Sequence, residues 1–252
     1  MGSRMSDANE AQKIDVWERT KGHGGQPVQA MNRRLFMQLI AYECEGGLDA
    51  GRAIGSLGTA LDERGASAVI YADVNNPRGI ALLSWSEDPA DFVTKVRPAF
   101  ALPALNGLRS LPSLSMLGRT YATGYESDLA YWLVNRPKET VQNPEWPWAV
   151  WYPLRRSGAF EQLEDREKGG ILREHAEIGQ AYGKQNLAHD VRLACHGLDA
   201  ADNEFVIGLI GEQLHPLSHV VQAMRKTRQT SEYIAQMGPF FVGHRAWRSA
   251  QG

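Results

Sequence analysis

The predicted strands and helices follow one order twice along this chain of 252 residues, and that repeat limits the folds open to it. In the first half, helical segments alternate in β-α-β-β-α-β order with four strand-like segments: NRRLFMQLIAYEC, SAVIYADV, RGIALLSW and SMLGRTYATGYE. The second half repeats this order with WAVWYPL, DVRLACHGL, EFVIGLIG and PFFVGH. Each half therefore has the ferredoxin-like order. We predict an α+β fold, a duplicated ferredoxin-like α/β barrel of the dimeric α/β-barrel type.

This repeat also predicts how the chain is divided. Residues 1–30 are polar and contain glycines, so we expect a mobile arm there. Residues 31–128 form the first ferredoxin-like half, and residues 147–246 form the second. Residues 129–146 show little periodicity, and with Pro147 directly after them they carry three prolines, which predicts a linker between the halves.

Charge and composition exclude several classes of partner. The net charge is −2 and the sequence pI is about 6.4, whereas nucleic acids and anionic membranes require a basic surface. No apolar run approaches the length of a membrane span, and the first residues have no apolar signal segment. Two distant cysteines, Cys44 and Cys195, are too few for a disulfide framework. We expect a cytoplasmic protein that acts on a small molecule.

The helix predicted around ILREHAEIGQAY places an imidazole on its apolar side. Ile171, Ile178 and Tyr182 lie four residues before, three after and seven after His175, so all four share one face. From this pattern alone, His175 is either a satisfied core residue or a ligand for something that is not protein.

Other motifs are incomplete. GRAIGSLG lacks the dinucleotide-binding pattern, and no P-loop, HExxH or paired CxxC is present. His215 and His219 have metal-ligand spacing, but two histidines without a third ligand favour a solvated helix face. Cys195 and His196 are adjacent on a strand, so they point to opposite faces and cannot form a nucleophile–base pair.

Residues 150–245 resemble the chlorite dismutase superfamily of haem proteins, which includes coproheme decarboxylases. The resemblance lies in the YP strand end, REHAEIGQAY, HGLD followed by NEFVIGL, the MRKTR helix and PFFVG. It implies a duplicated ferredoxin-like barrel and an iron porphyrin, haem b or coproheme, in the C-terminal half. It also implies a homo-oligomer, usually a pentamer in this superfamily.

The same resemblance assigns residues around the iron. His175 occupies the place of the proximal ligand, and Gln229, ten residues before Pro239, occupies the place of the glutamate that accepts its ring N–H. Arg192 is the best match for the distal residue, and Asp190 is the alternative, since both face the same way on a strand.

The strand end WYPLRR bears on the activity. Tyr152 matches the tyrosine that decarboxylases oxidise to a radical, and Arg156 stands where they carry a supporting lysine. Trp148, Trp151 and Phe160 are expected to line the pocket, or to fill the core as aromatics more often do. Arg136 is a candidate contact for a porphyrin propionate.

Together these residues favour peroxide-dependent oxidative decarboxylation of coproheme to haem b. The alternatives are decomposition of chlorite to chloride and dioxygen, which Arg192 favours, and a haem carrier or sensor without catalysis. The substrates implied are a porphyrin with peroxide, or chlorite.

Overall fold

A computed structural model describes residues 14–22 and 27–250. Its strands are β1 (Glu18–Arg19), β2 (Ala30–Met31), β3 (Phe36–Cys44), β4 (Ala68–Asp73), β5 (Gly79–Ser86), β6 (Leu108–Ser110), β7 (Met116–Arg119), β8 (Trp148–Arg156), β9 (His189–Ala194), β10 (Phe205–Gly211), β11 (Ile234–Met237) and β12 (Phe241–Arg248). Its helices are α1 (Ala50–Glu63), α2 (Arg97–Ala99), α3 (Arg136–Gln142), α4 (Gly158–Glu161), α5 (Asp165–Lys184), α6 (Leu214–Met224) and α7 (Arg228–Tyr233). Short π-helical turns lead directly into α2 and α3, at Phe92–Val96 and Tyr131–Asn135.

The large sheet closes on itself. Its strands run in the order β10-β9-β7-β3-β5-β4-β12-β8-β11, and β8 also pairs with β10. The first half supplies β3, α1, β4, β5, α2 and β7, and the second supplies β8, α5, β9, β10, α6 and β12. This confirms the predicted α+β fold with its duplicated β-α-β-β-α-β order.

The two faces of the sheet have different surroundings. The interior of the closed sheet is a buried cluster to which both halves contribute, for example Met37 and Tyr71 from the first half and Trp151 and Phe241 from the second. On the outer face of the second half, a separate apolar layer lies between the strands and helices α5 and α6. Alternation along β8 sends Trp151 inward and Val150 and Tyr152 outward.

Gly208 shows how the interior accommodates its largest side chain. Gly208 lies opposite Trp151 on the neighbouring strand. A Cβ atom at Gly208 would lie 2.5 Å from Cη2 of the Trp151 ring, much closer than a van der Waals contact. A residue without a side chain is therefore required where β10 passes over the indole.

The segment LHPLSHVVQAMRKTRQTSEYI, residues 214–234, has the spacing of one continuous helix, but this prediction is wrong because the structure divides the segment into α6 and α7. Thr227 lies at the break in an extended conformation, with φ −71° and ψ 150°. Its side chain accepts a hydrogen bond from the backbone N–H of Thr230, so it caps α7. The break brings Thr227 close to α5, which a continuous helix would not do.

Two predicted irregular segments contain regular structure. The linker at 129–146 includes α3, which begins next to Pro137, a position where a proline needs no backbone N–H donor. The arm at 1–30 contributes β1 and the first residue of β2, which pair antiparallel. Residues 1–13 and 23–26 of that arm lie outside the described residues.

The predicted closing strand near 115–126 is shorter than expected, since β7 spans only Met116–Arg119. Among the described residues, no helix combines the length and apolarity needed to span a membrane.

Candidate cofactor site

One hydrogen bond sets the state of His175. Its Nδ1 lies 3.3 Å from Oγ1 of Thr227, whose own hydroxyl lies 2.8 Å from the carbonyl oxygen of Met224. The hydroxyl has one proton, and the carbonyl can only accept it. Nδ1 therefore carries the imidazole proton and donates it to Thr227, which leaves a lone pair on Nε2.

The environment also keeps this imidazole neutral. Burial lowers the pKa of His175, and the positive charge of Arg192 lowers it further, against smaller opposing effects of Asp190 and Glu174. A neutral imidazole with a free Nε2 is the form in which histidine binds a metal.

The strand register places three predicted residues on one outer face. Tyr152 on β8 pairs with Ile207 on β10, and Ile207 pairs with Arg192 on β9. In the adjacent row, Val150 pairs with Leu209 and Leu209 with Asp190. Directly paired residues share a face, so Tyr152, Arg192 and Asp190 all lie on the side that α5 covers.

Tyr152 is a buried phenol in an apolar wall. Its side chain is 6% exposed, and its ring stacks on Phe240 with the centroids 4.6 Å apart. Burial raises its pKa, with a further rise from Asp190 and a smaller lowering by Arg225. The phenol therefore holds its proton at neutral pH.

Arg192 and Asp190, the two candidates for the distal residue, form an ion pair with each other. Arg192 Nε lies 2.9 Å from Oδ2 of Asp190. Arg136 of α3 binds the same residue, with Nη1 2.7 Å from the carbonyl oxygen and Nη2 2.8 Å from Oδ1. Arg136 was expected to contact a propionate, but both of its Nη atoms are taken by Asp190.

Arg156 does not have the free charge expected for a group that binds a propionate. Its guanidinium lies 3.2 Å from Glu204 and 3.2 Å from Glu161, and its side chain is 14% exposed. It also packs over the rings of Phe160 and Phe205, at 4.5 and 4.8 Å. The geometry therefore supports a structural role for Arg156.

Gln229 does not make the bond expected of it, because Thr227 occupies Nδ1 of His175. The Oε1 atom of Gln229 is buried, and within the described part of the chain it has no hydrogen-bond partner. The break between α6 and α7 places the hydroxyl of Thr227, rather than the amide of Gln229, beside the ring.

The predicted aromatic residues divide between the two faces. Trp148 belongs to the outer layer and packs edge-on against His244, with the centroids 4.8 Å apart. Trp151 lies fully buried in the interior of the closed sheet. Phe160 packs under Arg156 and against Tyr233. Of these three, only Trp148 has the placement expected of a pocket residue.

Sequence reasoning missed three residues near this site. Thr227 was hidden inside an assumed continuous helix. Arg225 lies just beyond α6, and no carboxylate in the described chain pairs with it. Tyr121, from the first half, packs on Phe205 at 5.7 Å, and its pKa is raised mainly by burial, against a lowering by Arg192. The MRKTR motif contains two of the three and could have drawn attention to them.

The outer layer fits a flat apolar group. Most of its members on α5, α6 and the strands keep part of their surface exposed, including Ile178, Met224 and Ile207. The interior of the closed sheet, by contrast, is almost entirely buried. Apolar surface that protein atoms leave uncovered beside a histidine with a free Nε2 suits a macrocycle that carries its own metal ligands.

A free metal ion has no equivalent site. Across residues 14–22 and 27–250, no three His, Cys, Asp or Glu side chains lie close enough together to hold one. Tyr182 OH hydrogen-bonds Nδ1 of His219, and the rings of His215 and His219 are 6.0 Å apart.

A cleft of about 520 Å³ lies away from these residues. Its lining includes Arg33, Arg34, Arg119 and His196. Arg33 is paired with Glu87 at 2.7 Å, so much of the charge in this cleft is compensated.

The sequence and the fold both resemble known proteins. A family model described as chlorite dismutase matches residues 84–246. The structure resembles a heme-binding protein from Thermus thermophilus, with 20% identity and a TM-score of 0.65, covering 88% of this chain and 94% of that one. It also resembles chlorite dismutase from Candidatus Nitrospira defluvii in complex with imidazole, with 13% identity and a TM-score of 0.67, covering 86% and 93%. These likenesses establish a shared fold. No curated protein matches the sequence.

Proposed function

This chain belongs to the chlorite dismutase family, and we propose that it binds an iron porphyrin through His175 and decarboxylates coproheme with peroxide. The observation that carries the proposal is the bond from Nδ1 of His175 to Thr227, because it leaves Nε2 free on a neutral ring. The partly exposed apolar layer beside it would receive the macrocycle.

A bound iron porphyrin would supply the activation of peroxide. In the overall reaction each propionate becomes a vinyl group, carbon dioxide leaves, and peroxide accepts the two electrons and is reduced to water. The chain's own part is to hold the porphyrin and to place Tyr152 on the wall of the site. The buried phenol keeps its proton until it gives up an electron and the proton together.

Arg225 is the better candidate for holding a porphyrin carboxylate. Arg156 is neutralised by Glu161 and Glu204, whereas Arg225 has no carboxylate partner among the described residues. Arg225 also acts on the phenol of Tyr152, which Arg156 does not. A guanidinium free to form a bidentate pair suits recognition of a propionate.

The test is titration of the coproheme-loaded protein with peroxide, following the porphyrin mass. We expect stepwise loss of two carboxyl groups, abolished by Tyr152→Phe. Tyr42→Phe is the matched control, since Tyr42 is a buried tyrosine of the other half, packed against Phe100 with the ring centroids 5.0 Å apart. A Soret shift with haem or coproheme that His175→Ala does not remove would contradict the proposal at its first step.

Chlorite decomposition is the second candidate, and Arg192 favours it. Arg192 lies next but one to Tyr152 across the paired strands, with Ile207 between them. Its positive charge would attract an anionic oxidant. Release of dioxygen from chlorite with no change in porphyrin mass selects this activity. Bleaching of the porphyrin in both assays selects a haem carrier or sensor.

The family resemblance also supports a homo-oligomer, and we propose a pentamer. Light scattering on the purified chain tests this, and a mass of about 28 kDa would contradict it, because the chain itself has a mass of 27.9 kDa.

A further inference from the structure

Asp190 joins two arginines that come from different parts of the fold. It lies two residues before Arg192 on β9, so the two side chains emerge on the same face. Its Oδ2 binds Nε of Arg192, and its Oδ1 and carbonyl oxygen bind Arg136. Arg136 in turn packs over the ring of Trp132 at 4.7 Å, which fixes it against the turn that leads into α3.

In this arrangement only the Nε atom of the Arg192 guanidinium pairs with Asp190. Its Nε is anchored, while its Nη1 and Nη2 have no protein partner among the described residues. The side chain keeps 38% of its surface exposed and Asp190 keeps 39%, so neither is sealed in the core. The two Nη groups are hydrogen-bond donors for which the described part of the chain supplies no acceptor.

Asp190 and Arg192 lie on the face of β9 that is covered by α5, the helix that carries His175. Helix α5 packs on β9, and the charge of Arg192 acts on the His175 ring. The free Nη groups therefore belong to the same site as the imidazole, on the strand side of the apolar layer.

We propose that Asp190 is a positioning residue, braced by Arg136, that holds the Arg192 guanidinium in one orientation so that its Nη groups donate to a ligand on the metal. The inference rests on the proposed function, because the ligand requires a bound iron porphyrin. An arginine side chain has many rotamers, and an ion pair at Nε restricts them before any ligand arrives.

The first test is the infrared C–O stretch of carbon monoxide bound to the ferrous haem-loaded protein. A positive donor held near the bound molecule lowers this frequency, and a single orientation gives a single narrow band. We expect one band in the unaltered protein and one band at higher frequency in Arg192→Gln. In Asp190→Asn we expect two bands, one of them close to the Arg192→Gln position.

The double variant separates positioning from the charge of Asp190 itself. With Arg192 replaced by Gln, adding Asp190→Asn is expected to leave the band unmoved. A shift of equal size with and without Arg192 would overturn the inference, as would an unchanged single band in Asp190→Asn. Arg155→Gln is the control, because Arg155 is also 38% exposed but pairs with Asp202 outside the site.

A second measurement works without haem, so failure of the inference can be told apart from failure of the proposed function. In the metal-free protein, NMR relaxation of the Nε–H group of Arg192 is expected to show restricted motion of the side chain, because its Nε forms an ion pair with Asp190, and Asp190→Asn should release this restriction. If Asp190→Asn does not fold, Arg136→Gln removes the brace but keeps the carboxylate, and should increase the motion of the same group. A freely mobile Arg192 side chain in the unaltered protein overturns the inference whether or not haem binds.

Discussion

At His175, a single hydroxyl determines which ring nitrogen can bind a metal. The sequence predicts the position of the histidine, because its spacing from Ile171, Ile178 and Tyr182 is visible without a structure. It does not predict Thr227, since the acceptor comes from a residue that caps a different helix. A hydrogen-bond partner whose position depends on where a helix breaks cannot be predicted from the spacing of residues along the sequence.

Thr227→Ala should weaken both the site and the fold. The hydroxyl accepts from His175 and from the N–H of Thr230. Loss of a partner on the far nitrogen of a metal-bound histidine typically lowers affinity about 10- to 100-fold. Loss of a helix cap costs about 1 kcal/mol. Haem titration by the Soret band and urea unfolding of the metal-free protein measure the two effects.

Thr227→Ser is the matched control, because it keeps the hydroxyl and removes only a methyl group. We expect it to retain haem affinity within about twofold and to keep most of the capping energy. Equal loss of affinity in the Ala and Ser variants would show that the hydroxyl is not what holds the ring.

His189 gives a pH dependence of stability. Its ring stacks on Trp146 with the centroids 3.7 Å apart, and burial, with help from Arg136, lowers its pKa. In the unfolded chain His189 takes up a proton near pH 6.5, whereas the folded form does so only at lower pH. The free energy of unfolding should therefore fall as the pH drops from about 6.5 toward the lowered pKa.

His189→Gln should flatten this part of the profile, measured by urea unfolding of the metal-free protein at a series of pH values. An identical slope in the variant and the unaltered protein would assign the effect to other groups, among which His175 also has a lowered pKa.

At the scale of elements, apolar and β-branched runs predicted the strands well, and composition predicted the connections poorly. Strand β8 is such a run, and its residues are buried on both faces of the sheet. The linker was assigned from its prolines, yet Pro137 lies at the start of α3, where proline is tolerated. A proline marks either an irregular segment or the first turn of a helix, and composition alone does not distinguish them.

The contact between β7 and β9 leaves no room for a side chain at Gly118. A Cβ there would lie 2.7 Å from Cβ of Leu193 and 2.9 Å from Sγ of Cys195. Gly118→Ala should therefore lower the free energy of unfolding by about 1–3 kcal/mol, the usual cost of overpacking a core. Urea unfolding measures this.

Gly55→Ala is the control for Gly118→Ala. Gly55 lies in α1, and a Cβ there would meet nothing within 4 Å. Alanine is favoured over glycine in a helix by about 1 kcal/mol, so this variant should be at least as stable as the unaltered protein. Loss of stability in both variants would point away from the close approach of β7 and β9.

At the scale of the whole molecule, the halves of the repeat are not independent domains. Strand β12 pairs with β8 of its own half and with β4 of the other, and β7 meets β9 at Arg119 and Ala194. The interior cluster takes side chains from both halves. The duplication was predictable from the element order, but the shared interior depends on which strands become neighbours.

Expressed alone, residues 129–252 should fail to fold into a stable unit and should bind haem weakly. Their inward-facing side chains, including Trp151 and Phe241, would be exposed on one open face. Circular dichroism with thermal scanning tests this, and the full chain should unfold in one transition. A cooperative transition in the isolated half, with a His175-dependent Soret band, would contradict it.

Neighbouring positions along β8 therefore differ in what a substitution would affect. Trp151 fills the interior of the closed sheet, whereas Val150, Tyr152 and Leu154 are buried in the outer apolar layer. Substitutions at the three outward positions should therefore change ligand binding as well as stability, whereas substitution of Trp151 should act on stability alone.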